Sequence, residues 1–180
     1  TLHALAKDCL SLPWRKRWMY HQADIRTYRH TDAFIAVSKQ GRDFLIERVG
    51  EKKVTLIRNA ADIDAFAGNE HAHKPETTFK VCAAGRLDEQ KGFRHLIEAA
   101  RMMAERDFDI EFHLAGEGQL HDSLKSMISQ YRLGKRFFLH GFVTDMPGFF
   151  ADKNAFALPS IIETMPMALL EAMSASLPIV

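Results

Sequence analysis

The chain has 180 residues, 24 Lys and Arg against 23 Asp and Glu, a net charge of +1 and a hydrophobic fraction of 47%. That length forms one domain or two small ones burying roughly two-thirds of the unfolded surface, and a charged fraction of 26% argues against wholesale disorder. The near-neutral balance argues against a surface built throughout for nucleic acid, and no apolar run approaches the ~18 residues of a membrane-spanning helix.

Residues 1–12 contain Lys7 and Asp8 and carry no secretory cleavage pattern. Cys9 and Cys82 lie in unlike contexts and form no ligand pattern, which points to a reducing compartment and a cytoplasmic protein. Pro13 precedes Trp14, Trp18, Met19, Tyr20, Ile25 and Tyr28 at near-helical spacing, which predicts an amphipathic helix over residues 14–29. Its basic residues Arg15, Lys16, Arg17, Arg26 and Arg29 face a single acid, Asp24. Three readings stand for segment 14–30: solvated packing, a seat for an acidic acceptor, or peripheral contact with an anionic membrane at its cytoplasmic face.

Ala33–Val37 is a continuous apolar run, the pattern of a strand buried on both faces. Ser38 can cap the helix after it, with Phe44 and Leu45 turned inward and Gly50 as its stop. Val54–Ile57 predicts a second strand. Arg58–Pro75 has no period and reads as a linker. From Phe79 strands and helices alternate. Strands are predicted at Phe79–Ala84, Ile110–Ala115, Phe137–Leu139 and Ala155–Leu158, with another opening at Pro178. Helices are predicted at Gly92–Glu105, Gln119–Tyr131, Met146–Ala151 and Met167–Ser174. Met102, Met103, Met127, Leu169, Leu170 and Met173 read as helix core. This alternation predicts an α/β protein with parallel sheets and right-handed crossovers. The chain starts at Thr1 and stops at Val180 within an apparent strand, so the expectation is a piece of a longer protein.

Ligands of open α/β sheets bind beyond the carboxyl ends of the strands. Three such loops carry suitable residues. The first runs Gly85-Arg86-Leu87-Asp88-Glu89-Gln90-Lys91-Gly92. Gly85 allows close backbone approach, Arg86 can offer two donors to a phosphate, and Lys91 sits at a helix start whose amides favour an anion. A solvated, helix-capping loop is the alternative. The second, Gly116-Glu117-Gly118, suits either a tight turn or approach of a ligand to its backbone. The third spans Leu158 to Ala172. There Thr164 can cap a helix beginning near Pro166, and Glu163 and Glu171 flank its start. Two carboxylates there can hold sugar or ribose hydroxyls while amides near Met165 hold phosphate oxygens. Alternatively, Glu171 complements the helix dipole, or the pair works as acid and base in hydrolysis.

Glu70-His71-Ala72-His73 falls in the linker and reads as solvated chain rather than a metal site. His140 ends a strand, as a structural residue or a ligand contact, and neither Ser38 nor Ser160 has the setting of a nucleophile.

The ordered set Gly85-Arg86-Leu87, Gln90-Lys91-Gly92, Gly116-Glu117-Gly118, Gly141-Phe142-Val143, Leu158-Pro159-Ser160 and Glu163 to Glu171-Ala172-Met173 resembles retaining nucleotide-sugar glycosyltransferases of glycosyltransferase family 4. Asp32–Ser38 and Ile57-Arg58-Asn59 through Phe66 extend the resemblance over nearly the whole chain from about residue 30. It implies the GT-B architecture, two Rossmann-like domains, both incomplete here. Residues 1–58 would close the acceptor-side domain, 59–75 would link the two, and 76–180 would form most of the donor-binding domain. The resemblance places the acceptor-side glycine-rich loop and active-site His before Thr1, and implies that this piece alone would not turn over.

By the same resemblance Gly85, Arg86 and Lys91 would hold the donor diphosphate, with Gly116 beside them. Glu163 would contact the donor sugar, the Thr164–Met165–Pro166 turn would offer amides, Glu171 would bind the ribose, and the backbone near Val143 would meet the base. Arg86, Lys91 and Glu163 would carry the transfer, with no metal or other cofactor required. The implied donor is a nucleotide-diphosphate sugar, a UDP-sugar first. The implied acceptor is a glycan or glycolipid in bacterial glycan, lipopolysaccharide or glycolipid synthesis. Thr164-Met165 stand where the family has Gly or Ser and then Phe, and Asn59-Ala60-Ala61-Asp62 where Asn-Gly-Val-Asp is common. A non-catalytic nucleotide-binding module, a nucleotide-sugar epimerase or a phosphorylase of the same architecture are the competing readings.

Overall fold

The computed structural model describes Arg15, Thr27, Tyr28, residues 30–66 and residues 78–180. The basic aromatic segment, apart from Arg15, Thr27, Tyr28 and His30, and the Glu70–His73 stretch lie outside the described residues. Two compact units are present: Thr1–Ala60 with Ile162–Pro166, and Ala61–Ile161 with Met167–Val180.

In the smaller unit, β1 (Phe34–Ala36) and β2 (Val54–Leu56) pair in parallel, Ile35 opposite Thr55, and α1 (Lys39–Val49) lies between them in sequence. Ser38 caps α1 by accepting from the Gly41 amide, and Gly50 ends it at φ 83°. Both follow from side-chain chemistry: a hydroxyl satisfies an orphan amide, and glycine tolerates the positive φ. Leu45 is fully buried with Ala36 and Tyr28, whose ring meets Phe34 edge-on, while Phe44 packs partly buried against them. Ile35, however, is 44% exposed, which corrects the expectation of a strand buried on both faces. The hydrophobic cluster gathers residues on the α1 side, and side chains alternate along a strand, so Ile35 points the other way.

The larger unit is a parallel sheet. Its strands β3 (Phe79–Ala84), β4 (Ile110–Ala115), β5 (Phe137–Gly141) and β6 (Ala155–Phe156) are ordered β5-β4-β3-β6. Ile179 bridges to Phe156 in parallel on the far side of β6, where the strand opening at Pro178 was expected. The order therefore reverses at the β3–β6 pair, where Val81 faces Ala155 and Cys82 faces Phe156. The helices are α2 (Phe93–Glu105), α3 (His121–Gln130), α4 (Met146–Phe150) and α5 (Met167–Ser174).

Alternation along the strands sorts the core onto two faces. Val81, Ala83, Phe112, Leu114 and Phe137 pack with Phe93, Leu96, Ile97 and Ala100 of α2 and Leu124 and Ile128 of α3. Cys82, Ala84, Ala115 and Phe156 pack instead with Phe149 and Phe150 of α4 and Ala172 of α5. Phe150 and Phe156 are fully buried, each contributing about 1.5–3 kcal/mol of transfer free energy. Met103 and Met127 pack partly buried against the first face, but Met102 and Met173 are 48% and 58% exposed, which corrects their assignment to the core. On α2, Met102 lies off the stripe formed by buried Phe93, Leu96, Ile97 and Ala100.

The stretch read as a linker holds a short 3-10 turn, Asp64–Phe66, with Asp62 accepting from the Asp64 amide. Phe66 is buried against Phe150, ring centroids 6.1 Å apart, so this segment adds a side chain to the second core. Phe66 stands between Ala65 and Ala67 in a stretch whose apolar residues follow neither strand nor helix spacing, which is why the sequence pattern passed over it.

Candidate functional site

The reversal in strand order puts the loops after β3 and β6 side by side at the carboxyl edge of the sheet, the position where open α/β sheets take their ligands. Those loops are also in backbone contact. The Ile161 amide donates to the Gln90 carbonyl at 2.8 Å, and a Cβ on Gly92 would sit 2.1 Å from the Pro159 carbonyl oxygen.

The loop after β3 is fixed at its root. Gly85 donates to the Ala115 carbonyl at 3.0 Å, Leu87 to the Glu117 carbonyl at 2.8 Å, and Leu120 to the Leu87 carbonyl at 3.1 Å. A Cβ on Gly116 would lie 1.8 Å from the Gly85 oxygen, so the second glycine loop packs directly against the first. Gly116 is thus needed for loop-on-loop contact, a third role besides the tight turn and ligand approach.

Between Gly85 and Leu87 the Arg86 side chain is 71% exposed, and its Nε donates to Asp88 Oδ2 at 2.6 Å. Asp88 is buried. Its other oxygen accepts from the Gln90 and Lys91 amides at 3.1 and 3.2 Å, capping the 3-10 turn Glu89–Lys91 that leads into α2. Lys91 immediately precedes Gly92, the left-handed N-cap of α2, and its stem lies across Gly85, where a Cβ would meet Lys91 Cε at 3.5 Å. The loop thereby gathers Gly85, Arg86 and Lys91 at the start of a 13-residue helix. Asp88 was not among the expected site residues. Its signal was an acid just before a turn, a cap pattern that the charge-rich loop obscured.

Glu171 lies one turn into α5 and is half-buried. Its carboxylate has no hydrogen bond or ion pair among the described residues, and burial raises its pKa above the ordinary glutamate value. Val143 is partly buried against the second core, whereas Phe142 beside it is 72% exposed. Gly85, Arg86, Lys91, Gly116, Val143 and Glu171 all belong to the larger unit. Glu163, Thr164, Met165 and Pro166 group with the smaller one, where Asn59 Nδ2 donates to the Met165 carbonyl at 2.8 Å. Pro166 immediately precedes α5, and Thr164 lies in a bend two residues earlier.

His140 is not isolated. Its Nε2 is 3.0 Å from Nδ1 of His113, whose Nε2 is 3.3 Å from Glu111. Burial first, then the nearby Lys153 charge, lowers the pKa of both imidazoles. Lys153, itself buried, is paired with Asp152, which also takes Lys80 at 3.2 Å. Buried Cys82 has its pKa raised to about 12, chiefly by desolvation, and is an unreactive core thiol. No group of three or more His, Cys, Asp or Glu among the described residues is arranged to hold a metal ion. Nor is any described helix long and apolar enough to cross a membrane.

Residues 68–180 match the family described as glycosyl transferases group 1. The chain is 30% identical over 173 residues to an Escherichia coli UDP-Gal:alpha-D-GlcNAc-diphosphoundecaprenol alpha-1,3-galactosyltransferase, covering 89% of this chain and 45% of that protein. It is 31% identical over 172 residues to the amylovoran biosynthesis glycosyltransferase AmsK of Erwinia amylovora, covering 89% and 42%. The chain thus spans less than half the length of these curated relatives. Among solved structures, Anabaena HepE in complex with UDP-glucose superposes with a TM-score of 0.79 at 21% identity, over 98% of this chain and 50% of that one. Staphylococcus aureus TarM, in complex with UDP and alpha-GlcNAc-glycerol among other ligands, superposes with a TM-score of 0.72 at 22% identity, over 98% and 34%.

Proposed function

The chain belongs to the glycosyl transferases group 1 family, and we propose that it is the donor-binding part of a family 4 glycosyltransferase with the GT-B architecture. In this reading the whole protein transfers a sugar from a nucleotide-diphosphate sugar, a UDP-sugar first, to a glycan or glycolipid acceptor with retention of configuration. It would work in bacterial glycan assembly on the cytoplasmic side, with segment 14–30 against the membrane.

The chemical difficulty in such a transfer is the negative charge that builds on the departing nucleoside diphosphate. Prearranged cations and amides stabilise that charge without a covalent nucleophile. Arg86 offers a fork of donors, Lys91 a point charge, and the first amides of α2 a partial positive charge. Glu171 would take the ribose hydroxyls, the Val143 backbone the base, and Gly116 would keep its loop against Gly85. Glu163 would hold the donor sugar while the turn Thr164–Met165–Pro166 supplies amides.

The observation that carries the reading is the strand order. Arg86 and Lys91 follow β3 at the reversal point, and Glu171 stands in the helix after β6 without a protein partner among the described residues. A desolvated carboxylate without a cation is unfavourable alone and is satisfied by hydroxyl donors. The test is a donor-hydrolysis and transfer screen of the whole protein with UDP-, ADP- and GDP-sugars, wild type against Lys91→Ala. Loss of about 100-fold or more in kcat/KM is expected on removing a leaving-group cation. Full activity in the variant refutes the role, and donor binding without turnover in the wild type favours the non-catalytic module.

A further inference from the structure

We propose that Asp88 is a positioning residue, aiming the Arg86 guanidinium and fixing the Lys91 backbone for the diphosphate of the nucleotide sugar; this rests on the donor-binding reading above. Asp88 and Lys153 are the buried charged residues among those described. The two Asp88 oxygens have separate tasks. Oδ1 accepts from the Gln90 and Lys91 amides and makes the turn, while Oδ2 accepts from Arg86 Nε at 2.6 Å. The turn needs only the first oxygen, and Asn or Ser would cap it comparably. The second contact is therefore surplus to the cap.

The backbone on either side of Arg86 is already held, by Gly85 on Ala115 and by Leu87 on Glu117. What remains to be set is the direction of the Arg86 side chain, and Asp88 sets it. Gripping a guanidinium through Nε leaves its two terminal nitrogens side by side, the face that meets two phosphate oxygens at once. Those nitrogens have no partner among the described residues, and the side chain is largely open to solvent. An ion pair this exposed on its cationic side adds little to folding. Its value lies in preorganisation, since an arginine already aimed loses less rotamer freedom when the ligand arrives.

The experiment is calorimetric titration of the whole protein with UDP, ADP and GDP, using wild type, Asp88→Asn, Arg86→Ala and the double variant. Asn retains the oxygen that caps the turn, so the melting temperature should stay close to wild type. Affinity for the nucleoside diphosphate should nevertheless fall about tenfold, the scale of one charge-assisted hydrogen bond. In the Arg86→Ala background the same change should cost less than about twofold, because the side chain it aims is gone. A purely structural Asp88 gives a different pattern: unchanged affinity in Asp88→Asn, or equal losses with and without Arg86. Either result overturns the proposal, as does tighter binding from relief of Asp88 repulsion. If the asparagine variant does not fold, Asp88→Ser carries the same cycle with the same expectations. A wild type that binds none of the three diphosphates sinks the donor-binding reading, and this inference with it.

Discussion

Replacing Gly116 by alanine tests the claim that the loops after β3 and β4 form one frame. The glycine has φ +143°, and its added Cβ would stand 1.8 Å from the Gly85 carbonyl oxygen and 2.9 Å from its carbon. Both obstacles are backbone, so no rotamer change relieves them, and the loops must part by more than an ångström. A side chain forced into that backbone region costs about 1–3 kcal/mol, and overpacking against fixed atoms a similar amount, or about 2–5 kcal/mol together. For a chain of this size that lowers the melting temperature by roughly 5–15 °C. Because the displaced carbonyl belongs to the residue before Arg86, UDP affinity should fall more than about fivefold, as expected when a site shifts by an ångström. Gly134 is the control, since a methyl added there would meet nothing within 4 Å and its φ is not positive. Gly134→Ala should change stability by less than about 0.5 kcal/mol. Calorimetric melting and UDP titration of both variants decide the matter. A Gly116→Ala protein that melts within about 1 °C of wild type and binds UDP equally well refutes the reasoning.

Two further outcomes concern pH. Burial raises the Glu171 pKa, so the wild-type fold is favoured while that carboxyl is protonated and loses stability as pH climbs through the raised value. Glu171→Gln should therefore melt higher than wild type at pH 7, lose that advantage below about pH 4, and bind UDP about tenfold more weakly; a melting curve independent of this substitution at pH 7 counts against the unpartnered carboxylate. Both His113 and His140 have lowered pKa values, so the unfolded chain takes up their protons first and stability falls as pH drops below about 6.5. His113→Gln/His140→Gln should show a smaller fall in melting temperature between pH 7 and pH 5 by scanning calorimetry, and an undiminished fall would remove the pair as its source.

The larger unit was legible because its signals are local and periodic. Val81–Ala84 is a short apolar run after Lys80, Ile110–Ala115 sets Ile110, Phe112 and Leu114 against Glu111 and His113, and both segments form strands at the expected bounds. Ser38 and Gly50 marked the ends of α1 through side-chain chemistry alone. What escaped depends on contacts distant in sequence. Phe66 gains its place from Phe150, 84 positions later, and Ile35 loses its expected burial because the cluster beside α1 gathers on the other side of β1. His140 looked solitary because its partner, His113, stands on the neighbouring strand. Asp88 was visible as a residue yet not as a role, since no spacing rule reveals that one carboxylate serves an amide pair and a guanidinium together.

Motif glycines in nucleotide sites are usually explained by the approach of a phosphate, but at Gly92, Gly116 and Gly118 protein backbone already occupies that space. Gly116 admits the Gly85 carbonyl, Gly118 admits the Leu87 carbonyl, whose oxygen an added Cβ would meet at 2.5 Å, and Gly92 admits the Pro159 carbonyl. At these three glycines, loops from three strands thus approach one another main chain to main chain. Such a frame moves little when charge develops on a ligand, which is the condition under which fixed donors stabilise a leaving group better than water does. The mobile choices left on it are side-chain directions, and two of those are already restrained: Lys91 by its path across Gly85, and Arg86 by Asp88. Under the proposed donor-binding reading, a site organised this way should tolerate a change of sugar more easily than a change at Gly92, Gly116 or Gly118, because those glycines hold the loops that would present Arg86 and Lys91 to the diphosphate.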